Sequence, residues 1–476
     1  NALNILLYVL YCDGDKDVAT SNSVCRAITT LCEHANIVLH YPCEKQGVFY
    51  ICTAVRNSFR NPIFCCHAIN CIVNFVKKNP THRQYIITDQ YNQKLIKLTM
   101  DALELYRYAA NHTKNVHCQK VQIAGCLALQ NIAAHPIGQK LIGPAGVEVL
   151  LDTFVAHIDD DAVVTASLSA LLNICVSSSN ANAFLECEGL TFMNTFLDNE
   201  ETPSKCRLLV CKIIHNMSCD PFLSRKLIDE YTEDSEVVIM RLLAYAEYGT
   251  ELYLAILRLL RTLLQEINKN KLEFMKDLLE QNMVQMLIDA LEFDYAIKAH
   301  ERLANNNGKY KKLIMNIYDH IIIVLNQYYA TNDEMCVAFV TDETENDTGS
   351  WIPAILISMA RCYQGSAAHM VWEIFKLFDR LTDNNVVMQK RLIEGGITNL
   401  LLQTPWFSQR VLDPSAVKLG GNIILKLLQS YPYHKKIWMV QNDIPNVRKF
   451  IQFIRTNHPN YETTAKNIER QLKYIG

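Results

Sequence analysis

Between residues 120 and 220 the apolar positions keep a helical beat that proline, glycine and aspartate interrupt at regular points. Ile123, Cys126, Leu127, Leu129 and Ile132 share one helical face, the spacing of an amphipathic helix. The His135-Pro136 step ends that helix, because proline lacks the amide hydrogen and clashes with the preceding turn. A short helix is predicted around Lys140 to Ile142, closed by Gly143-Pro144 and Gly146. A second follows over Val147 to Ile158, with Val147, Leu150, Leu151, Phe154 and Val155 apolar. Asp159-Asp160-Asp161 then predicts the cap of a long helix over Ala162 to Cys175, since carboxylates suit the unpaired amides at a helix start.

This short, medium and long helix unit recurs. Asn131, Asn173 and Asn216 occupy the same local setting near the ends of the long helices, at intervals of 42 and 43 residues. Gly146 and Gly189 keep step, 43 residues apart. A period of about 40–47 residues is that of stacked helical repeats. Extended in phase, the asparagine position is held by Thr30, Asn74, Arg261, Asn326, Asp379 and Lys426. Two intervals are long, Asn74 to Asn131 and Arg261 to Asn326. They predict insertions, one around Tyr106 to Lys120 and one across the polar stretch Ala304 to Lys312. The acidic run Thr341 to Ser350 reads as a surface loop.

The helix order, with Ala145-Gly146-Val147-Glu148-Val149-Leu150-Leu151 and Ser169-Ala170-Leu171-Leu172-Asn173-Ile174, resembles the armadillo repeat. The resemblance is strongest over residues 120–220, and Ile393-Glu394-Gly395-Gly396-Ile397 repeats the family's turn between first and second helices. It implies an all-α fold: an armadillo-like right-handed α-solenoid superhelix of about nine or ten repeats. The expected organisation is a single solenoid over 1–476, with N-terminal repeats in 1–304, polar insertions within atypical repeats in 305–350 and C-terminal repeats in 351–476. The alternative is a hinge near residue 305. The apolar start at Asn1 reads as a segment of a longer protein.

The resemblance also implies that the third helices line a concave groove. An asparagine amide offers both donor and acceptor, which suits pairing with the backbone of an extended peptide whatever its sequence. The same amide can instead satisfy backbone groups within or between repeats, and both uses stay open at this point. The partner-binding candidates are Asn74, Asn131, Asn173, Asn216, Lys212, Arg258 and Arg261. Importin-alpha-like members carry tryptophan four residues before each ladder asparagine. Here Leu127, Ser169 and Lys212 stand there, which sets the chain apart from a nuclear-import receptor. Lys205, Arg207, Lys212, Arg258 and Arg261 place positive charge on successive third helices and, if they face the groove, favour an acidic ligand, in the manner of catenin-like members. Solvated surface positions with packed stems are the other reading of these groups.

Composition narrows the rest. A net charge of −3 gives no whole-chain bias toward nucleic acid. No apolar run reaches the roughly 18 residues of a membrane span. The 17 cysteines include no C-x-x-C pair and read as reduced core thiols in the cytoplasm. His112, His117 and Cys118, and likewise His34 and His40 near Cys32 and Cys43, are read as surface groups without a metal. The triplets at Asn111 and Asn346 are read as chance matches to a glycosylation signal, and Asn216 as closed to a glycan by its ladder position. No phosphate-binding, dinucleotide, metalloprotease or nucleophile-elbow motif occurs. The expectation is a non-catalytic interaction scaffold or adaptor, without cofactor, that binds a protein segment along the groove, alone or within a large assembly. The alternatives are the regulatory or substrate-recruiting part of a multidomain enzyme (a kinase, ubiquitin-ligase receptor or nucleotide hydrolase) and a structural component of a cytoskeletal or ciliary assembly.

Overall fold

The computed structural model describes residues 2–13, 17–33, 59–77, 90–113, 116–229, 232–247, 250–265, 368–383, 386–394, 414–430 and 443–475, with shorter pieces that include 320–324 and Asn326. The expected insertion at 304–312, the hinge near 305, the loop at 341–350, His34, His40, Cys43 and Asn346 lie outside them. The chain divides into two compact units, Asn1–Glu247 and Tyr248–Gly476. Among the described residues every regular element is helical.

The first unit contains α1 (Ala2–Asp13), α2 (Val18–Glu33), α3 (Pro62–Lys77), α4 (Gln90–Thr113) and α5 (Val116–Ala133). They are followed by α6 (Pro136–Ala156), α7 (Asp161–Ile174), α8 (Ser178–Glu186), α9 (Gly189–Leu197) and α10 (Ser204–Ser218). α11 (Pro221–Asp229) and α12 (Thr232–Ala244) complete it. The long helices α2, α3, α5, α7 and α10 pack each on the next, forming one layer. In the other layer α6 packs on α4 and α8, and α9 packs on α12. Apolar contact crosses repeats as the period requires: the Phe154 and Phe196 rings meet edge to face at 5.2 Å.

The predicted punctuation is visible. Pro136 opens α6, whose start is capped by the His135 side chain accepting from the Ile137 amide at 3.2 Å. Gly143, at φ 62°, breaks α6 into the short and medium helices of the repeat; only a residue without a β-carbon enters that conformation cheaply. Gly146 and Gly189 have a different reason. A β-carbon at Gly189 would lie 2.6 Å from the Phe184 carbonyl oxygen, and one at Gly146 would lie 2.1 Å from Ile142 Cγ2. Asp160 caps α7, its Oδ1 accepting from the Ala162 and Val163 amides at 3.0 and 3.2 Å.

The insertion at Tyr106 to Lys120 is not a loop. Residues 106–113 continue α4 and 116–120 open α5, so the extra length is taken up by an elongated helix. Its buried face, Leu95, Ile96, Thr99, Ala102, Leu103 and Tyr106, keeps helical spacing as far as Tyr106. The Tyr106 hydroxyl donates to the Phe59 carbonyl at 2.8 Å.

The second unit contains α13 (Glu251–Gln265), α14 (Ala368–Leu381), α15 (Val386–Glu394), α16 (Pro414–Gln429), α17 (Asp443–Asn457) and α18 (Glu462–Ile475). α14 packs on α16 and α16 on α18. Gly396, at φ 78°, holds the turn that the sequence marks there.

Candidate functional site: the row of third helices

The three best-spaced asparagines lie together. Asn131 donates through Nδ2 to the Leu127 carbonyl of its own helix at 2.7 Å. Asn173 reaches back one repeat to the Gln130 carbonyl at 3.0 Å, and Asn216 to the Leu172 carbonyl at 3.1 Å. Each amide is half-buried. Two of them therefore tie neighbouring third helices together, and that single bond also fixes the plane of the amide. One amide hydrogen and the carbonyl oxygen of each side chain have no partner among the described residues. The tie at Asn216 also engages the nitrogen a glycan would need.

Asn74 is half-buried on α3, which packs against α5, so it continues the row on the N-terminal side. Thr30, at the same position on α2, is exposed and donates to the Arg26 carbonyl of its own helix at 3.0 Å. Lys212 is exposed one turn before Asn216. Arg258 is exposed and Arg261 half-exposed on α13, in the second unit. The row thus gathers Asn74, Asn131, Asn173, Asn216 and Lys212, while Arg258 and Arg261 belong to the other compact unit.

Arg207 corrects the sequence reading. It is not on the exposed face but buried, at 3 % exposure. Its Nε donates to the Thr202 carbonyl at 3.0 Å and its Nη2 to the Glu200 carbonyl at 2.9 Å, and its guanidinium lies 3.9 Å from the centre of the Tyr245 ring. Burial pushes its pKa below the usual arginine value. This arginine folds the loop between α9 and α10 rather than offering charge to a ligand.

A second periodic device escaped the sequence. Gln139 donates through Nε2 to the Ala133 carbonyl at 3.0 Å. Asn180, at 1 % exposure and 41 residues later, donates to the Gln139 carbonyl at 2.8 Å and the Ile174 carbonyl at 3.3 Å. In the second unit Gln389 donates to the Thr382 carbonyl at 2.7 Å. Each amide closes the last turn of a third helix, where carbonyls lack intrahelical partners. The signal was present as a polar residue recurring at a fixed place in the short helix.

The second unit keeps the inter-repeat tie with other chemistry. Asn326 donates to the Glu373 carbonyl at 2.8 Å and to its carboxylate at 3.1 Å, and Arg380 donates to the Asn326 carbonyl. Lys426 Nζ donates to the Asp379 carbonyl at 2.6 Å and its Oδ1 at 2.9 Å.

The described cysteines carry free thiols, most of them buried. Burial pushes Cys65, Cys126, Cys175 and Cys211 up to about 12, which removes the thiolate needed for nucleophilic or metal chemistry. His117 is exposed and the adjacent Cys118 buried. Among the described residues no His, Cys, Asp and Glu gather as a metal site, and no helix is long and apolar enough to cross a membrane.

No family model matches the chain, and no curated protein matches it. Solved structures do. An engineered protein from a structural genomics consortium superposes with a TM-score of 0.64 at 15 % identity, covering 99 % of both chains. A second engineered protein covers 55 % of this chain and 98 % of its own, with a TM-score of 0.41 at 19 % identity. A structure from a study of a phosphorylation switch in the interaction between cadherin and beta-catenin covers 99 % of both chains, with a TM-score of 0.39 at 12 % identity. The first likeness bears on fold alone. Together with the periodic ties between helices, it makes this chain a helical repeat protein.

Proposed function

We propose that the chain is a non-catalytic interaction scaffold that holds an extended segment of a partner protein along the third helices of its first unit. The observation that carries this reading is the amide row. Asn173 and Asn216 are each pinned by one bond to the preceding repeat. A pinned primary amide keeps a second donor and its acceptor oxygen, which is the pair an extended backbone requires. The pinning lowers the entropy lost when a ligand is gripped.

Assignment to the armadillo family, the right-handed superhelix, about nine or ten repeats and a cytoplasmic setting belong to the same proposal. Crosslinking mass spectrometry on the native complex tests it: crosslinks are expected on exposed positions of α5, α7 and α10, such as Lys120, Lys205 and Lys212. Crosslinks confined to the first and second helices would overturn it. A second arm replaces Asn131 and Asn173 together by alanine. Weaker partner binding with an intact fold supports the groove, and unchanged affinity assigns these amides to structure alone.

A further inference from the structure

The third helices of the first unit are nearly empty of acid. Together α2, α3, α5, α7 and α10 carry Arg26, Lys77, Lys120, Lys205, Arg207 and Lys212 against Glu33 and Asp161. The chain as a whole has a net charge of −3. The rest of the chain therefore carries the negative balance. Of the two carboxylates, Asp161 stands in the first turn of α7, where it favours the helix start, and Glu33 is the last residue of α2.

Two basic clusters result. At one end, Asn22 and His67 are hydrogen-bonded across α2 and α3, and the Cys71 thiol donates to the Cys25 carbonyl at 3.1 Å, which fixes the register of the two helices. Arg26 lies one turn beyond Asn22, and His117 and Lys120 stand on the first turns of α5, which packs on α3. Arg26, His117 and Lys120 are exposed, and His67 is half-buried among them. Their convergence is felt by the imidazole: burial first, then Arg26, Lys120 and His117, push His67 below its usual value. At the other end, Lys205 and Lys212 are exposed on α10, on the side of the helix that carries Asn216. Between the clusters run the half-buried Leu127, Ser169 and Leu172 and the amide row.

We propose that the segment held by this face is acidic, its Asp and Glu side chains meeting Arg26, His117 and Lys120 at one end and Lys205 and Lys212 at the other. The proposal rests on the groove reading above and adds the chemistry of the occupant. Asp161, which acts on Cys206 beside Lys205, competes at one end of this face, and at the Arg26–Lys120 end no described carboxylate side chain of these helices does, so electrostatic complementarity selects the partner and speeds its approach. A protein segment fits better than single-stranded nucleic acid. α2, α5, α7 and α10 carry no phenylalanine, tyrosine or tryptophan to stack on bases, and α3 carries only Phe64 and Phe75, whereas the amides suit a peptide backbone.

The test uses the whole chain and fluorescence anisotropy with labelled peptides of alternating glutamate and glycine, or lysine and glycine, of equal length. The glutamate peptide is expected to bind and to weaken as salt rises, and the lysine peptide to show no saturable binding. Lys120→Glu combined with Lys212→Glu is expected to weaken binding about tenfold or more, each reversal replacing an attraction by a repulsion. Lys140→Glu, on α6, is expected to leave it unchanged. Circular dichroism melts of the variants keep loss of binding separate from loss of fold. Equal binding of the lysine peptide, unchanged affinity in the double variant, or displacement by an equal concentration of single-stranded oligonucleotide would each overturn the proposal. If native crosslinks fall on the third helices but the recovered segment lacks acidic residues, the acidic assignment fails while the groove stands. If they avoid those helices, the groove reading fails.

Discussion

At the asparagine position of the third helices, the first unit ties its repeats with neutral amides, and the second brings charged groups into the tie. Asn173 and Asn216 each donate one hydrogen to a carbonyl of the preceding third helix. Lys426 does the same work on Asp379, adding an ion pair to its carboxylate, and Asn326 stands between Glu373 and Arg380. The mechanical result is similar; the chemical remainder is not. A neutral amide that has spent one hydrogen still holds a donor and an acceptor and carries no net charge. A lysine bound to its neighbour's carboxylate has its charge answered within the fold. One device leaves a surface that can receive a ligand, and the other closes on itself. Equivalent positions in a repeat array can therefore keep a structural duty while binding capacity is confined to part of the chain.

The largest effect is expected where the amide is fully buried. Asn180→Ala leaves the Gln139 and Ile174 carbonyls unpaired in the interior and is expected to destabilise the first unit by about 2–4 kcal/mol. Hydrogen exchange resolved by segment should show lost protection in α6, α7 and α8, with α14 and α16 unchanged. Loss spread evenly over both units would erase the distinction. Asn173→Ala, at a half-buried site, is expected to cost about 1 kcal/mol, measured by chemical denaturation. A cost near that of Asn180→Ala would mean that the amide has no valence to spare.

Salt separates the two chemistries further. Lys426→Met is expected to lower protection of α14 and α16 by under about 1 kcal/mol at low salt, and the difference should vanish in concentrated salt, because the pair is partly exposed and screened. The Asn173 effect should be indifferent to salt; a shared salt dependence would contradict the comparison.

The smallest expected effect is with pH. His157 is buried, its Nε2 has no partner among the described residues, and desolvation lowers its pKa although Asp160 opposes this. The unfolded chain then binds the proton more readily than the folded one. Stability is complete above the unfolded value of about 6.5 and declines as pH falls below it toward the lowered folded value. His157→Gln should flatten that decline in melts recorded across the window, and a variant as acid-sensitive as the parent would assign the effect elsewhere.

Much of this was legible in the sequence because the devices are local. Proline at 136, aspartate at 160 and glycines at 143 and 396 act within a few residues of themselves, so spacing alone located them. The Asn131, Asn173 and Asn216 row was legible because period and residue type coincide. Arg207 was misread because charge was taken as exposure. It stands nine residues before Asn216, and at about 100° per residue that places it on the opposite side of the helix. Lys212 and Lys205, four and eleven residues before Asn216, fall on the same side. Angular bookkeeping would have separated them. The helical character of 106–113 and 116–120 was hidden by the polar residues of that stretch, although Leu95, Thr99, Ala102 and Tyr106 carry the period into it. Gln139 and Asn180 were passed over because a polar residue in a short helix reads as surface until the helix end above it is known.

Hydrogen bonds that cross repeats span 42 to 47 residues at Thr29 with Cys71, at Thr191 with Asp234 and at Lys426 with Asp379. Each such bond joins a repeat to its immediate neighbour in sequence. A chain leaving the ribosome under that rule never waits for a distant segment: each repeat docks on its predecessor as soon as some forty further residues have emerged. Loop closure stays short at each of these described steps, which favours assembly by propagation from neighbouring pairs. The gain or loss of one whole repeat changes the length of such a molecule, whereas the gain or loss of one residue inside a third helix turns its amide away from the row.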